Sequence, residues 1–311
     1  MGLVEYRVRS CLRPQAFISG PGDFDLEPGR PVEASRLSDP DLSPYCFDPA
    51  GRTLLCVSTS DISDAVFFYQ AQREHARSLV RVPFTSLPPG PASPALLFSV
   101  GRCGSTLLVR VLQAAGVRAV SEPDFYTQAA CMEPLDLSLR GAIAGATALL
   151  RCAVVKLRLE CNNAPLLIAG AFETPRIMFI LRHPIDWAAS LRRLSRNSLD
   201  LGWALGRLRS SLLGLEQLAR SYPVRVLYYE DFRTLAPGAV ADALEWAGHS
   251  GGIPPEKLKR LAERDAQDGT VVSRASVRNV PDDAPFRAAF GREWARLRPA
   301  EVIDRLQLKF L

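Results

Sequence analysis

The amino-acid sequence predicts an α/β fold: three layers, a mainly parallel sheet with helices on both faces, and a small N-terminal lobe in front. Three observations lead there. From Ala95 onward, short aliphatic runs without clean alternation, as in strands buried on both faces, alternate with stretches of helical period. A proline-rich stretch, Leu87-Pro-Pro-Gly-Pro-Ala-Ser-Pro94, separates that region from a turn-rich one, because proline removes backbone donors and breaks helix and sheet alike. Finally, 47% hydrophobic and 23% charged residues in a chain of 311 allow a sizeable core and argue against disorder.

Residues 1–94 form the predicted lobe and linker. Turns are marked at Gly20-Pro-Gly22, Glu27-Pro-Gly29, Asp39-Pro-Asp41 and Asp48-Pro-Ala-Gly51. A strand is expected at Thr53–Ser58 and a helix over Ala65–Leu79. Residues 95–311 form the α/β domain, with strands expected at Ala95–Val100, Val117–Val120, Ala153–Leu157, Ile177–Leu181 and Val224–Tyr228. Between them, Ser105–Ala115 places Leu108, Val111, Leu112 and Ala115 on one helical face, and Gly116 supplies a stop. Further helices are expected at Ala239–Ala247 and Pro255–Arg264, and from Pro299 towards the C-terminus. Strands alternating with helices imply right-handed βαβ units.

The bulk numbers exclude several classes. A net charge of +5, from 38 Lys plus Arg against 33 Asp plus Glu, is too small to argue for nucleic acid. It suits a small anionic ligand if the positive charge is concentrated in one cleft. Seven scattered cysteines without a CxxC pair argue against a disulfide framework and a zinc site. The N-terminus lacks the apolar stretch of a signal peptide, and no run approaches the roughly 18 apolar residues of a membrane span. A cytoplasmic protein without a membrane partner is the expectation.

In a parallel sheet, ligands sit beyond the carboxyl ends of the strands. That rule selects Gly101–Thr106, Ser121 and Glu122, Lys156 and Arg158, Arg182, and Tyr229–Asp231. The loop within Phe98–Leu108, Gly101-Arg-Cys-Gly-Ser-Thr106, has two glycines that let backbone approach a ligand. It opens a helix whose free amides and dipole favour an anion. Arg102 adds charge, while Ser105 and Thr106 add hydroxyl donors. It is not a Walker A loop, because the lysine is missing and the glycines are too close together. A capped βα turn without a ligand accounts for the same residues. The second segment, Leu181-Arg-His-Pro-Ile-Asp-Trp-Ala-Ala-Ser190, places Arg182 at a strand end and Ser190 about two turns into the next helix. A guanidinium and a hydroxyl there can clamp a phosphate.

Together the two segments resemble the 5′-phosphosulfate loop and the 3′-phosphate segment of sulfotransferases that use 3′-phosphoadenosine 5′-phosphosulfate (PAPS). The resemblance extends to Val154-Val-Lys-Leu-Arg158 and Val226-Leu-Tyr-Tyr-Glu-Asp-Phe232, with all four pieces in the family's order and Arg182 and Ser190 at its spacing. It covers residues 96–232 and implies the P-loop-like sulfotransferase fold. By that resemblance, Arg102, Cys103, Gly104, Ser105 and Thr106 hold the 5′-phosphosulfate, and Arg182 and Ser190 hold the 3′-phosphate. Lys156 stabilises the transferring sulfuryl group. Ser273-Arg-Ala-Ser-Val-Arg-Asn279 resembles the basic loop that folds over the 3′-phosphate, which brings in Arg278, although the glycine-rich signature of that loop is absent.

One departure matters. Cytosolic members have a catalytic histidine where this chain has Arg158. None of His75, His183 and His249 replaces it. Glu122, in Val120-Ser-Glu-Pro-Asp124, is the candidate base, as in carbohydrate sulfotransferases that use a glutamate soon after the first helix. A carboxylate salt-bridged to Lys156 is its structural alternative. The implied reaction moves a sulfuryl group from PAPS to a hydroxyl or amine of a small-molecule or sugar acceptor, leaves adenosine 3′,5′-bisphosphate, and needs no metal. Alternatives are a nucleotide-dependent kinase, against which the missing Walker lysine counts, and a non-catalytic nucleotide-binding relative. Candidates to cover the acceptor are Phe67, Phe68 and Tyr69, whose other reading is core packing, together with Phe125 and Tyr126.

Overall fold

The computed structural model describes residues 2–62, 64–263, 265–268, 270, 273–277 and 279–309. In chain order its elements begin with β1 (Leu3–Cys11), β2 (Phe24–Leu26), β3 (Arg30–Val32), β4 (Leu42–Asp48), β5 (Thr53–Ser58), α1 (Phe68–His75) and β6 (Ser78–Pro83). Then come β7 (Ala95–Ser99), α2 (Ser105–Ala114), β8 (Ala119–Ser121), α3 (Asp124–Ala130), α4 (Arg140–Leu150), β9 (Val154–Lys156) and α5 (Pro165–Ala169). The remainder is β10 (Arg176–Leu181), α6 (Pro184–Leu194), α7 (Leu201–Ser221), β11 (Val224–Tyr228), α8 (Tyr229–Phe232), α9 (Pro237–Trp246), α10 (Pro255–Glu263), α11 (Arg274–Val277), α12 (Ala284–Leu297) and α13 (Ala300–Arg305). The chain divides into two compact units, one made of the residues up to Leu96 with Arg118–Pro175, the other of Leu97–Val117 with the residues from Arg176 onward.

The first unit holds an antiparallel sheet in the order β2-β1-β6-β5-β4, with β3 also paired to β1. This N-terminal sheet is more extensive than the sequence reading, which found only its β5. All six residues of β5 are buried, so it reads as a continuous apolar run. Its neighbours do not read that way. Strand β1 is buried fully only at Leu3, and edge strand β4 carries Pro44 where its register with β5 shifts. Proline is tolerated at such a bulge but hides the strand from sequence reading. The helix expected over Ala65–Leu79 is confined to Phe68–His75, and Ser78–Pro83 is strand β6 instead, hydrogen-bonded to β5 and β1. Two valines and sheet partners on both sides override the helical pattern. Phe24, Tyr45, Cys46, Leu55, Val57 and Leu79 form the core of this sheet.

The proline-rich stretch is a packed segment, not a free linker. A Cβ on Gly90 would lie 2.5 Å from that of Ala144 on α4, and one on Gly145 would lie 2.7 Å from the Leu87 Cβ. Strands β8 and β9 pair in parallel, with Ser121 opposite Lys156.

In the second unit β10 and β11 pair in parallel from Ile177–Val224 to Leu181–Tyr228. The Val100 N–H at the end of β7 donates to the Ile180 carbonyl. The strand order within this unit is β11-β10-β7. Helix α2 packs with α9 and α10, and α12 packs with α6 and α7. Phe98 and Phe179 stack with parallel rings, and Trp187, Phe290 and Trp294 form an aromatic seam between α6 and α12. Among the described residues, no helix is long and apolar enough to cross a membrane.

Candidate functional site

The glycine loop of the second unit is held in an unusual backbone conformation. Gly101, Arg102 and Gly104 have φ of 70°, 49° and 82°. Glycine adopts such angles freely, whereas a β-carbon at Arg102 makes its angle costly. A Cβ at Gly104 would also meet the Tyr229 ring, at 2.6 Å from Cδ2. The loop carbonyls are tied down from outside. The Trp187 indole N–H donates to the Val100 and Gly101 oxygens at 2.9 and 3.0 Å, and Arg182 Nη1 donates to the Arg102 oxygen at 2.9 Å. These bonds from α6 and the end of β10 set the loop's direction as it enters α2.

Three predicted ligands come together here. Arg102 Nε donates to Ser190 Oγ at 3.4 Å and Nη1 to Gln267 Oε1 at 2.7 Å. The Arg182 guanidinium stacks on the Tyr229 ring, 4.6 Å from its centroid, and its buried Nε makes no hydrogen bond. Burial first, and the charge of Arg182 next, hold the Arg102 guanidinium below its ordinary pKa. Two like charges in one partly buried place leave room for an anion to offset both. Cys103, Ser105 and Thr106 are buried at the start of α2. The cleft lined by Arg102, Gly104, Thr106, Arg182, Tyr229, Asp265 and Gln267 encloses about 100 Å³. A larger hollow of about 670 Å³ lies beside α9 and the 249–253 loop, but Asp242 and Glu245 line it without any Lys or Arg, which does not suit an anion.

In the first unit, Glu122 and Lys156 follow or close parallel strands β8 and β9. Lys156 Nζ lies 2.5 Å from Glu122 Oε1, and the Glu122 N–H donates to the Lys156 carbonyl at 2.7 Å. The pair is thus clamped through both side chains and backbone. Glu122 has φ of 63° and precedes Pro123, a position where extended backbone is preferred. Such a conformation persists only where the surroundings enforce it.

The neighbouring charges show what Arg158 does in place of a histidine. Arg158 Nη1 lies 2.8 Å from Asp124 Oδ1 and also donates to the Phe17 carbonyl. Burial opposes the Arg158 charge, but Asp124 and then Glu160 outweigh it and its pKa is raised. Asp124 is fully buried and further accepts from the Ser19 N–H at 2.6 Å and from Arg73 at 3.5 Å. Asp23 and Tyr45 continue the network to Arg73. Arg158 is therefore an ion-pairing residue, not a general base.

Some predicted residues fall elsewhere. Phe68, Phe125 and Tyr126 are core residues, and the last two have no exposed surface with which to wall an acceptor. Phe125 packs edge-on to Phe47 and stacks on Tyr126. Phe67 and Tyr69 are half-buried, and the Tyr69 ring covers the guanidinia of Arg73 and Arg158. Arg278 lies outside the described residues. Residues that sequence reasoning did not single out include Trp187, which ties the loop, and Gln267, which holds Arg102. The tryptophan was visible in the Arg182–Ser190 segment, whereas nothing in the sequence marks Gln267.

No protein-family model and no curated protein matches this sequence. The chain resembles solved sulfotransferases. One is mouse sulfotransferase SULT7A1 complexed with PAP, at 14% identity over 67% of this chain and 84% of that one, with a TM-score of 0.42. A second is the sulfotransferase domain of the Synechococcus PCC 7002 olefin synthase, at 15% identity over 67% and 96%, with a TM-score of 0.41. Retinol dehydratase in a complex with retinol and PAP matches at 15% identity over 91% and 96%, again with a TM-score of 0.41. Likeness at this level assigns no role to any residue.

Proposed function

We propose that this chain is a sulfotransferase that carries a sulfuryl group from PAPS to a hydroxyl or amine of a small-molecule or sugar acceptor. The observation that carries the reading is the pairing of Arg102 and Arg182 at one glycine loop. Ser190 lies on the first guanidinium, and the second has a buried, unpartnered Nε. That unpartnered donor fits an anionic ligand.

In this reading Arg102, Cys103, Gly104, Ser105 and Thr106 bind the 5′-phosphosulfate, and Arg182 with Ser190 binds the 3′-phosphate. The donor supplies the sulfuryl group, its S–O bond to the 5′-phosphate breaking as the bond to the acceptor forms. Lys156 stabilises the transferring sulfuryl group, and Glu122 takes the acceptor's proton. By analogy with phosphoryl transfer through a loose transition state, charge stabilisation outweighs the base, and one well-placed donor is worth about 2.7–4 kcal/mol. The 2.5 Å ion pair is also what a purely structural Glu122 would make, so Glu122→Gln, expected to lose turnover and keep nucleotide affinity, decides between the two roles.

Thermal shift with adenosine 3′,5′-bisphosphate, ATP–Mg²⁺ or no ligand tests the donor, since a ligand at a hundredfold excess over its Kd adds about 2.7 kcal/mol of stability. Stabilisation by ATP–Mg²⁺ but not by the bisphosphate overturns the reading. Turnover, read as release of adenosine 3′,5′-bisphosphate from PAPS across a panel of hydroxyl and amine acceptors, tests the division of labour. Arg182→Ala is expected to lose chiefly nucleotide affinity, and Lys156→Ala chiefly turnover. Equal loss of affinity in both contradicts these roles.

A further inference from the structure

We propose that Arg193 is a third guanidinium of the anion site and binds the 3′-phosphate together with Arg182 and Ser190. The inference rests on the sulfotransferase reading and adds a residue that neither the glycine loop nor the Arg182–Ser190 segment contains.

Helix α6 carries both Ser190 and Arg193, three residues apart and therefore neighbours on the helix surface. The Ser190 hydroxyl already lies on Arg102, so that face of α6 points at the loop. Trp187, one turn earlier, also bonds the loop carbonyls. Arg193 is half-buried, and among the described residues its side chain makes no hydrogen bond or ion pair. Its neighbour Arg192 behaves as a structural arginine, bonding Asp283 Oδ2 at 2.9 Å and the Leu199 carbonyl at 2.6 Å. The Arg193 charge reaches the loop, because it joins Arg182 in disfavouring the charged form of Arg102.

Such an arrangement is costly without a ligand. Arg102 and Arg182 line the cleft with Asp265 as its carboxylate, and Arg193 lies one helical turn beyond Ser190 on α6. A phosphate monoester carries about −1.5 to −2 charges at neutral pH. Arg182 and a neutral serine leave part of that charge unmatched, and Arg193 supplies the remainder from the same helix as Ser190. The chemistry recognised is a nucleotide with a second phosphate on its ribose, not a mononucleotide phosphorylated only at the 5′ position.

Calorimetric titration of the full chain with adenosine 3′,5′-bisphosphate and with adenosine 5′-monophosphate tests this. Wild type is expected to prefer the bisphosphate. Arg193→Gln is expected to lose about tenfold or more of the bisphosphate affinity, the value of a charged hydrogen bond, with the monophosphate unaffected. Arg193→Lys should recover part of the loss. Arg196→Gln, which removes an exposed charge three residues further on, should change neither affinity. Bisphosphate affinity retained in Arg193→Gln, or equal loss for both nucleotides, overturns the role of Arg193 and leaves the parent reading standing. A wild-type chain that does not distinguish the two nucleotides overturns both. Unchanged melting temperatures of the unliganded variants separate loss of binding from loss of fold.

Discussion

Replacing Gly104 by alanine perturbs the anion loop at the point where backbone and ring are closest. Gly104 has φ of 82°, and a side chain in left-handed backbone costs about 1–2 kcal/mol. The new Cβ would stand 2.6 Å from Tyr229 Cδ2 and 2.9 Å from Cε2, closer than carbon atoms approach one another, so the ring must move. That ring stacks on Arg182 at 4.6 Å, a contact worth about 0.5–2 kcal/mol. The sum is about 1.5–4 kcal/mol, divided between stability and ligand affinity. Calorimetric titration with adenosine 3′,5′-bisphosphate should show at least about tenfold weaker binding, beside a lower melting temperature. A double-mutant cycle isolates the steric part, because Tyr229→Ala makes room for the new Cβ but leaves the backbone cost. The double variant is therefore expected to lose less than the sum of the two single variants. Wild-type affinity and melting temperature in Gly104→Ala would refute the reasoning, and strictly additive losses would refute the ring as the obstacle.

Three further outcomes follow from the charges. Asp124→Asn leaves Arg158 and Arg73 facing a neutral group in a buried place, which costs about 3–5 kcal/mol when a buried pair is broken. Glu160 and Asp23 remain at 3.5 and 3.7 Å, which places the loss near the lower end, and chemical denaturation showing under about 1 kcal/mol would contradict it. Asp283 caps α12, and its bond from the Phe286 N–H and then Arg192 hold its carboxyl below the ordinary aspartate range. A depressed folded pKa means stability that is present above about pH 4 and lost as pH falls through the folded value, so melting curves of Asp283→Asn should fall less steeply with acid than wild type. Gln267→Glu places a carboxylate on Arg102 Nη1 that competes with an incoming anion, so bisphosphate binding should weaken, and tighter binding would argue against an anion there.

Several parts of this protein were legible from residue order alone. The buried strands β5, β7 and β10 were visible because a strand covered on both faces needs a nearly unbroken apolar run, and β11, half-buried and interrupted by Arg225, was still located to the residue as Val224–Tyr228. The glycine loop and Arg182 at a strand end were visible because close backbone approach and strand-to-helix turns restrict which residues are tolerated. Local signals failed where partners come from far along the chain. Strand β6 reads as the end of a helix until β1 and β5 flank it, and Phe125 and Tyr126 read as acceptor candidates until Phe47 packs on Phe125 and Thr147 bonds the Tyr126 hydroxyl. Arg158 illustrates the same limit within the chemistry. The sequence shows that a histidine is absent, but only folding brings Asp124, Phe17 and Glu160 to the arginine and makes it an ion-pairing residue.

What the sequence by itself determined is the α/β class, the strand-end positions of the charged residues and the chemistry that loop can support, since these depend on periodicity and on residue types a few positions apart. The tertiary structure alone decided which charges meet. Arg102 rests on Ser190, 88 positions away, and on Gln267, 165 away, while Glu122 and Lys156, 34 apart, share one ion pair. A side chain's electrostatic environment is set by distance in space, and that distance is fixed by packing of whole strands and helices rather than by separation along the chain.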